Sequence, residues 1–344
     1  MTDVLGGKNY LQNHLSRLPI RLDNDMSFTQ KILKAPALKP GETIGVIAPS
    51  SPQRDDQRLR NGINFLRQLG FEVKEGENLW NRYGYLAGTD EERIEDLNQM
   101  IRDPQVRMIV AGRGGYGATR ILDQIDYESL QHDPKIILGF SDVTAINLAL
   151  LGSINLVSFS GAMPGVDFWE EEPDRFTVES FMQGVTTSNN VGLVPQPEEA
   201  LPIEGHFPGT ATGRLIPANL TLLASLCGTP YLPDMRGAIL LIEEIGEEAY
   251  RVDRLLSQLY NAGIFNQIGG LALGAFTGTE PKRISIDPLP INEVFREYIR
   301  RAAVPAISGV QYGHINRKLT LPVGTLARID GTAGVLELLE SGVE

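Results

Sequence analysis

A single cysteine, Cys227, and four histidines are the scarcest reactive side chains among the 344 residues. One cysteine cannot close an internal disulfide, and no CxxC pair or Cys/His spacing of the zinc-binding kind is present. Its surroundings, "TLLASLCGTP", read as a site for a small buried hydrophobe. Apolar runs are short as well. None approaches the roughly 18 residues that a membrane helix needs, and the first forty residues lack the apolar core of a secretory signal. A reduced, cytoplasmic protein with no membrane partner is the expectation. Positive charge is in deficit, 31 Lys and Arg against 43 Asp and Glu for a net charge of −12, which argues against nucleic acid or an anionic membrane as the main partner. Charged residues at 22% and hydrophobic ones at 42% are ordinary for a globular protein and exclude wholesale disorder.

What is present, from about residue 42, is alternation. "TIGVIAP" is a short apolar strand, followed by Leu59, Ile63 and Leu66 on one helical face and by a strand candidate "FEVKEG". "GTDEERIEDLNQMI" reads as a helix opened by a capping box, Thr89 with Glu92, with Asp90 and Glu91 in its first turn. "VRMIV", "KIILGF" and "NLVSFS" are further strands, with helical segments after the last two. Short apolar strands alternating with amphipathic helices predict an α/β fold, a doubly wound, mostly parallel sheet whose ligands gather at the carboxyl ends of its strands. Pro195, Pro197, Pro202 and Pro208 mark a polar stretch that reads as a linker. The expected organisation is an extension at 1–40, an α/β domain at 41–182, a linker at 183–210 and a mixed, strand-rich α/β domain at 211–344. That second domain holds the strand "AILLIEE", a helix striped by Val252, Leu255, Leu256 and Leu259, the run "IGGLALGAFTG", a helix near 290–302 and terminal strands in "KLTLPVG", "LARID" and "GVLELLE".

Several short motifs carry possible chemistry. Gly112, Gly114 and Gly117 have G-x-G-x-x-G spacing after a strand, which suits a dinucleotide pyrophosphate at a helix N-terminus, a tight βα turn, or backbone N–H groups facing an oxyanion. Ser141, between an apolar strand and a helix, is either an N-cap with Asp142 in the first turn or the exposed serine of a nucleophile elbow. The G-x-S-x-G pattern is half met, with Gly139 present and Val143 where the second glycine would stand. His14, His132 and His206 read as solvated, whereas His314 follows a glycine in a turn that can project over a cleft. Glu243 and Glu244 end an otherwise apolar strand, a costly position for an acid unless it is paired. The order serine, acid, histidine also occurs in α/β-hydrolases.

Taken as a set, "TIGVIAPSSP", "YLAGTDEERIEDLNQMI", "RGGYGATRILDQID", "GFSDVTAINLAL", "NLTLLASLCGTPYLP", "AILLIEEIGEEAYRVDRLLSQLYNAG" and "YGHINRKLTLPVG" resemble the LD-carboxypeptidases (muramoyltetrapeptide carboxypeptidases) of serine peptidase family S66, over about residues 42–329. The resemblance implies a serine peptidase without metal or nucleotide cofactor, with Ser141 as nucleophile, Glu243 as acid and His314 as base. It puts the oxyanion hole at the backbone N–H groups of Asp142 and of the Gly114–Gly115 turn, and a substrate-binding role on Asn219. It also implies a homodimer and a murein tetrapeptide substrate that loses its terminal D-alanine in cell-wall recycling. A subgroup of the family instead hydrolyses a peptide-nucleotide antibiotic of the microcin type, which stands as an alternative substrate class beside a nucleotide-binding protein built on the glycine turn. The chain departs from the family where two glycines usually precede the asparagine, since "IPAN" places Pro217 and Ala218 there. The acidic, aromatic stretch "MPGVDFWEEEPDRF" suits either a cationic diamino acid in the substrate or a solvated loop.

Overall fold

Short strands with both faces buried dictate a sheet covered on two sides. The computed structural model describes residues 31–281 and 289–344 and has this arrangement. Strands β1 (Thr43–Ile47), β2 (Glu72–Glu75), β3 (Val106–Ala111), β4 (Ile136–Gly139) and β5 (Ser158–Ser160) run parallel in the order β2-β1-β3-β4-β5. That order reverses direction between β1 and β3, the kind of switch point at which doubly wound sheets open a crevice beyond their carboxyl ends.

Helices cover the sheet where the apolar pattern asks for them. α1 (Asp56–Gln68) is capped by Asp55 and buries Leu59, Ile63 and Leu66. α2 (Asp90–Arg102) has the full capping box, the Thr89 side chain accepting from the Glu92 N–H and the Glu92 side chain accepting from the Thr89 N–H. α3 (Tyr127–His132) is short and ends on an exposed His132. α4 (Thr144–Ile154) is apolar on almost every side and buried on almost every side, because it packs against β4 and β5 and also against the later helix at Leu220–Leu226. α5 (Pro164–Asp167) and α6 (Arg175–Thr186) follow β5.

The second sheet is mixed. β6 (Gly192–Leu193), β7 (Glu204–Phe207), β8 (Thr210–Asn219), β9 (Ile239–Ile245), β10 (Gly270–Thr277), β11 (Ala306–Ser308), β13 (Leu326–Asp330) and β14 (Val335–Leu338) lie in the order β6-β14-β13-β8-β9-β10-β11-β7. β8 to β11 form a parallel centre and the outer pairs are antiparallel. α7 (Leu220–Leu226), α8 (Ala249–Asn261) and α9 (Ile291–Ala302) pack around it. Val252, Leu256 and Leu259 of α8 are buried as their spacing requires, while Leu255 is half-buried.

The chain departs from its expected segmentation in three places. Within 1–40, Ala35 and Leu38 are buried, and Leu33, Ala37 and Leu38 donate backbone hydrogen bonds to Asn155, Glu344 and Val185, so residues 32–40 are built into the body. The proline-rich stretch 183–210 contributes the edge strands β6 and β7, its prolines lying outside both. Strand β12 (Leu321–Val323), from "KLTLPVG", pairs antiparallel with β5 and so belongs to the first sheet. Residues 32–344 form one compact unit, and no helix among the described residues is long and apolar enough to cross a membrane. His14 and the rest of the leader to residue 30 lie outside the described residues.

Candidate active site

The strand-to-helix turn after β4 sets the site. Ser141 has φ of 63°, a conformation an L side chain adopts only under constraint, at a cost of order 1–3 kcal/mol. Its side chain caps nothing. The 3-10 turn Ser141–Val143 and the helix α4 both begin without a side-chain cap hydrogen bond, which corrects the capping reading of this serine. The strained turn instead places Oγ beyond the carboxyl end of β4, 3.0 Å from His314 Nε2.

His314 is delivered from the other sheet. It sits in the loop after β11, on a turn where Gly313 has φ of 145° and a Cβ would come within 2.9 Å of Ala275 Cβ. Its Nδ1 is 2.8 Å from Glu243 Oε2, and Glu243 is fully buried. A carboxyl group at Nδ1 makes that nitrogen the N–H donor, so Nε2 is left to accept the Ser141 hydroxyl proton. The Phe140 ring packs on His314 at 4.8 Å and on Tyr312 at 5.5 Å between centroids, and the Tyr312 hydroxyl is 2.8 Å from Ser160 Oγ. Burial, and after it the nearby Glu243, holds the Tyr312 hydroxyl well above the ordinary tyrosine range, so it stays a neutral hydrogen-bonding group.

The two glutamates near the end of β9 share the Asn219 amide and otherwise take different partners, as neighbouring strand side chains start from opposite faces. Glu243 faces the histidine. Glu244 turns to the N-terminus of α7, where Oε2 accepts from Thr221 N at 2.8 Å and Thr221 Oγ1 at 2.7 Å, and Oε1 accepts from Ile245 N at 2.9 Å. Asn219, paired in register with Glu243 on the neighbouring β8, is only 3% exposed. Its Nδ2 donates to Glu243 Oε1 and to Glu244 Oε1, both at 3.1 Å, and its Oδ1 caps α7 by accepting from Leu222 N. Asn219, expected to bind substrate, is thus buried and hydrogen-bonded to Glu243 on the side away from His314. Pro217 and Ala218 lie inside the β8–β9 pairing, paired with Leu241 and Ile242.

The glycine-rich loop after β3 wraps the serine from the other side. A Cβ on Gly114 would stand 2.8 Å from Ser141 Cβ and 3.0 Å from the Phe140 carbonyl oxygen, so only glycine lets the two turns touch. Gly115 is exposed beside it on the cleft. After the loop come 3-10 turns, Ala118–Arg120 and Leu122–Gln124, in place of an α-helix. The dinucleotide reading of Gly112, Gly114 and Gly117 thus lacks the helix end that a pyrophosphate requires. Asp142 locks this loop to the serine turn: its Oδ2 accepts from Ser50 Oγ at 2.6 Å and from Ala118 N at 2.8 Å, and burial pushes its carboxyl above the usual range against the pull of those bonds.

The resulting cleft has a volume of about 760 Å³, and Ser141, His314, Gly114, Gly115, Arg113 and Met163 are among its walls. Sequence reasoning missed Arg113 and Lys318. Lys318, buried, pairs with Asp167 at 2.8 Å. From "MPGVDFWEEEPDRF", Met163, Gly165 and Val166 reach the cleft, while Glu170, Glu171 and Glu172 are exposed and Trp169 stacks under Arg58 at 4.0 Å. His132 and His206 are exposed, the latter 2.6 Å from Ser308 Oγ. Among the described residues no group of three or more His, Cys, Asp or Glu is placed to hold a metal ion.

A methyl group at Gly114 tests the packing directly. Gly114→Ala is expected to lower kcat by about 10²-fold or more, as one lost oxyanion donor does, because Ser141 or the loop must move. Steady-state kinetics with a thermal melt as control would check it.

Comparison with known proteins gives the family. Residues 44–161 match the model of the LD-carboxypeptidase N-terminal domain, and residues 212–329 that of the C-terminal domain. A Bacillus subtilis (strain 168) protein named "Probable murein peptide carboxypeptidase" is 37% identical over 90% of this chain and 95% of its own length. The crystal structure of muramoyltetrapeptide carboxypeptidase from Oxalobacter formigenes superposes with a TM-score of 0.74 at 33% identity, covering 86% of this chain and 97% of that one. The microcin C7 self-immunity protein MccF superposes with a TM-score of 0.84 at 26% identity, covering 91% of this chain and all of that one. The chain belongs to the LD-carboxypeptidases, peptidase family S66.

Proposed function

We propose that this chain hydrolyses the bond between an L-centre diamino acid and the terminal D-alanine of murein tetrapeptides, with Ser141 as nucleophile, His314 as general base and Glu243 as orienting acid. The observation that carries the reading is the continuous hydrogen-bonded line from Ser141 Oγ through His314 to the buried Glu243, at 3.0 and 2.8 Å. His314 takes the Ser141 proton as Oγ attacks the scissile carbonyl, and returns it to the departing amine. Glu243 holds the ring in the tautomer that allows this and offsets the charge of the imidazolium. The developing oxyanion is received by the backbone N–H of Asp142 and one from the Gly114–Gly115 turn. Water then attacks the acyl-enzyme by the same proton path in reverse.

The reading carries with it a cytoplasmic homodimer acting in cell-wall recycling, supported by the family resemblance, with no part for metal, nucleic acid or membrane. Sedimentation of the purified chain would check the dimer. Incubation with a muropeptide mixture, followed by mass spectrometry, is expected to convert tetrapeptides to tripeptides with release of one D-alanine, and a chelator is expected to leave the rate unchanged. Turnover of a peptidyl nucleotide with tetrapeptides left intact would move the chain to the substrate class of the microcin relative.

A further inference from the structure

The wall of the cleft beside Ser141 is cationic in a way the triad does not use. Arg113, Arg54 and Arg58 all line it. Arg58 stacks on Trp169, and Arg54 and Arg58 are exposed. Arg113 differs. It is half-buried, and two hydrogen bonds fix its stem and head, Nε donating to Gly114 O at 3.1 Å and Nη1 to Pro52 O at 3.2 Å. Among the described residues no carboxylate lies within ion-pair distance of it. Of the acids nearby, Asp167 pairs with Lys318, and the exposed Asp55 on the same wall caps α1 through its Oδ1, which accepts from Gln57 N. Burial, and then repulsion from Arg54, holds the Arg113 guanidinium below its ordinary value. A half-buried cation held by two carbonyls and facing a cleft without an anion is placed to take one from a ligand.

A carboxypeptidase substrate brings that anion. The terminal carboxyl carbon lies three bonds from the carbonyl carbon under attack, less than about 4 Å away. Arg113 adjoins Gly114, whose backbone packs on Ser141. Resting on the function proposed above, we propose that Arg113 receives the free α-carboxylate of the departing amino acid, with Arg54 adding to the positive field, and that this contact confines the enzyme to the last residue of a chain. A planar guanidinium suits a carboxylate bidentately, which a lysine ammonium cannot match. The loop that stabilises the oxyanion would then also measure the distance to the chain end.

The test compares a tetrapeptide ending in a free carboxylate with the same peptide amidated at its C-terminus, on the wild-type enzyme and on the Arg113→Gln and Arg113→Lys variants. The wild type is expected to favour the free acid by about 10²-fold or more in kcat/KM, the scale set by removing one partner of a buried charged hydrogen bond. In Arg113→Gln the bond from Nε to Gly114 O is lost as well, so both rates are expected to fall, the free-acid rate by that further factor, and the acid-to-amide ratio approaches one; Arg113→Lys falls between. A thermal melt shows whether the variant folds, and if Arg113→Gln does not fold, Arg113→Lys gives the reading through the same ratio. An unchanged acid-to-amide ratio in the folded variant overturns the arginine assignment alone. A wild type that releases no terminal residue from either peptide overturns the proposed function and this inference together.

Discussion

Ser141→Ala is expected to lower kcat by about 10⁴- to 10⁶-fold, the range seen when the nucleophile of a serine triad is removed. Among the described residues Ser141 Oγ makes one side-chain hydrogen bond, to His314, so its loss removes no other side-chain contact of this kind from the fold. The alanine also keeps a small side chain at φ of 63° and against Gly114. A melting temperature within a few degrees of wild type should accompany the loss. His314→Ala should cost about as much, and the double variant little more, because serine and histidine act as one unit and their losses do not add. Wild-type turnover by Ser141→Ala would remove the serine from the mechanism.

Glu243→Gln is expected to cost about 10⁴-fold in kcat while KM changes little, the effect of turning a triad histidine to the wrong tautomer. The shape is kept and the donors are not. Glu243 accepts on both oxygens, Oε2 from His314 Nδ1 and Oε1 from Asn219 Nδ2. A glutamine amide must aim its NH2 at one of these donors. Aimed at His314, it forces the proton to Nε2, which can then no longer accept from Ser141. Aimed at Asn219, it meets an amide already committed to Glu244 and to the cap of α7. Steady-state kinetics on a fluorogenic or coupled D-alanine assay would resolve the loss, and activity within tenfold of wild type would contradict the orienting role.

The parts of the molecule legible in the sequence are those with a local cause. Apolar runs bounded by glycine and proline became parallel strands, and the Thr89–Glu92 capping box opened α2 at the expected residue. Ser141 is the instructive case, since a serine between strand and helix has the same local chemistry whether it caps or attacks. What separates the two is backbone conformation and a histidine 173 residues away in sequence. Glu243 and Glu244 are equally ambiguous one residue apart, because strand alternation decides which faces the site and its phase is set by pairing with β8 and β10. Asn219 lay within a recognisable motif, but its place behind the acid follows from register with Glu243 across two strands, which no spacing along the chain reports. Strand β12 was legible as a strand and not as a member of the first sheet, since a three-residue apolar segment carries no mark of its partner. Arg113 carries a local signal as well: a cation set between a buried strand and a glycine turn needs an anion or a reason.

The central claim is that one serine, activated through His314 and Glu243, releases the terminal residue of a murein tetrapeptide. Its most direct measurement is D-alanine released from a single purified disaccharide tetrapeptide by the wild-type chain and by Ser141→Ala at equal concentration. Equimolar tripeptide and D-alanine from the wild type, with none above background from the variant, is the predicted result. Equal release by both proteins, or no D-alanine from the wild type, would contradict it.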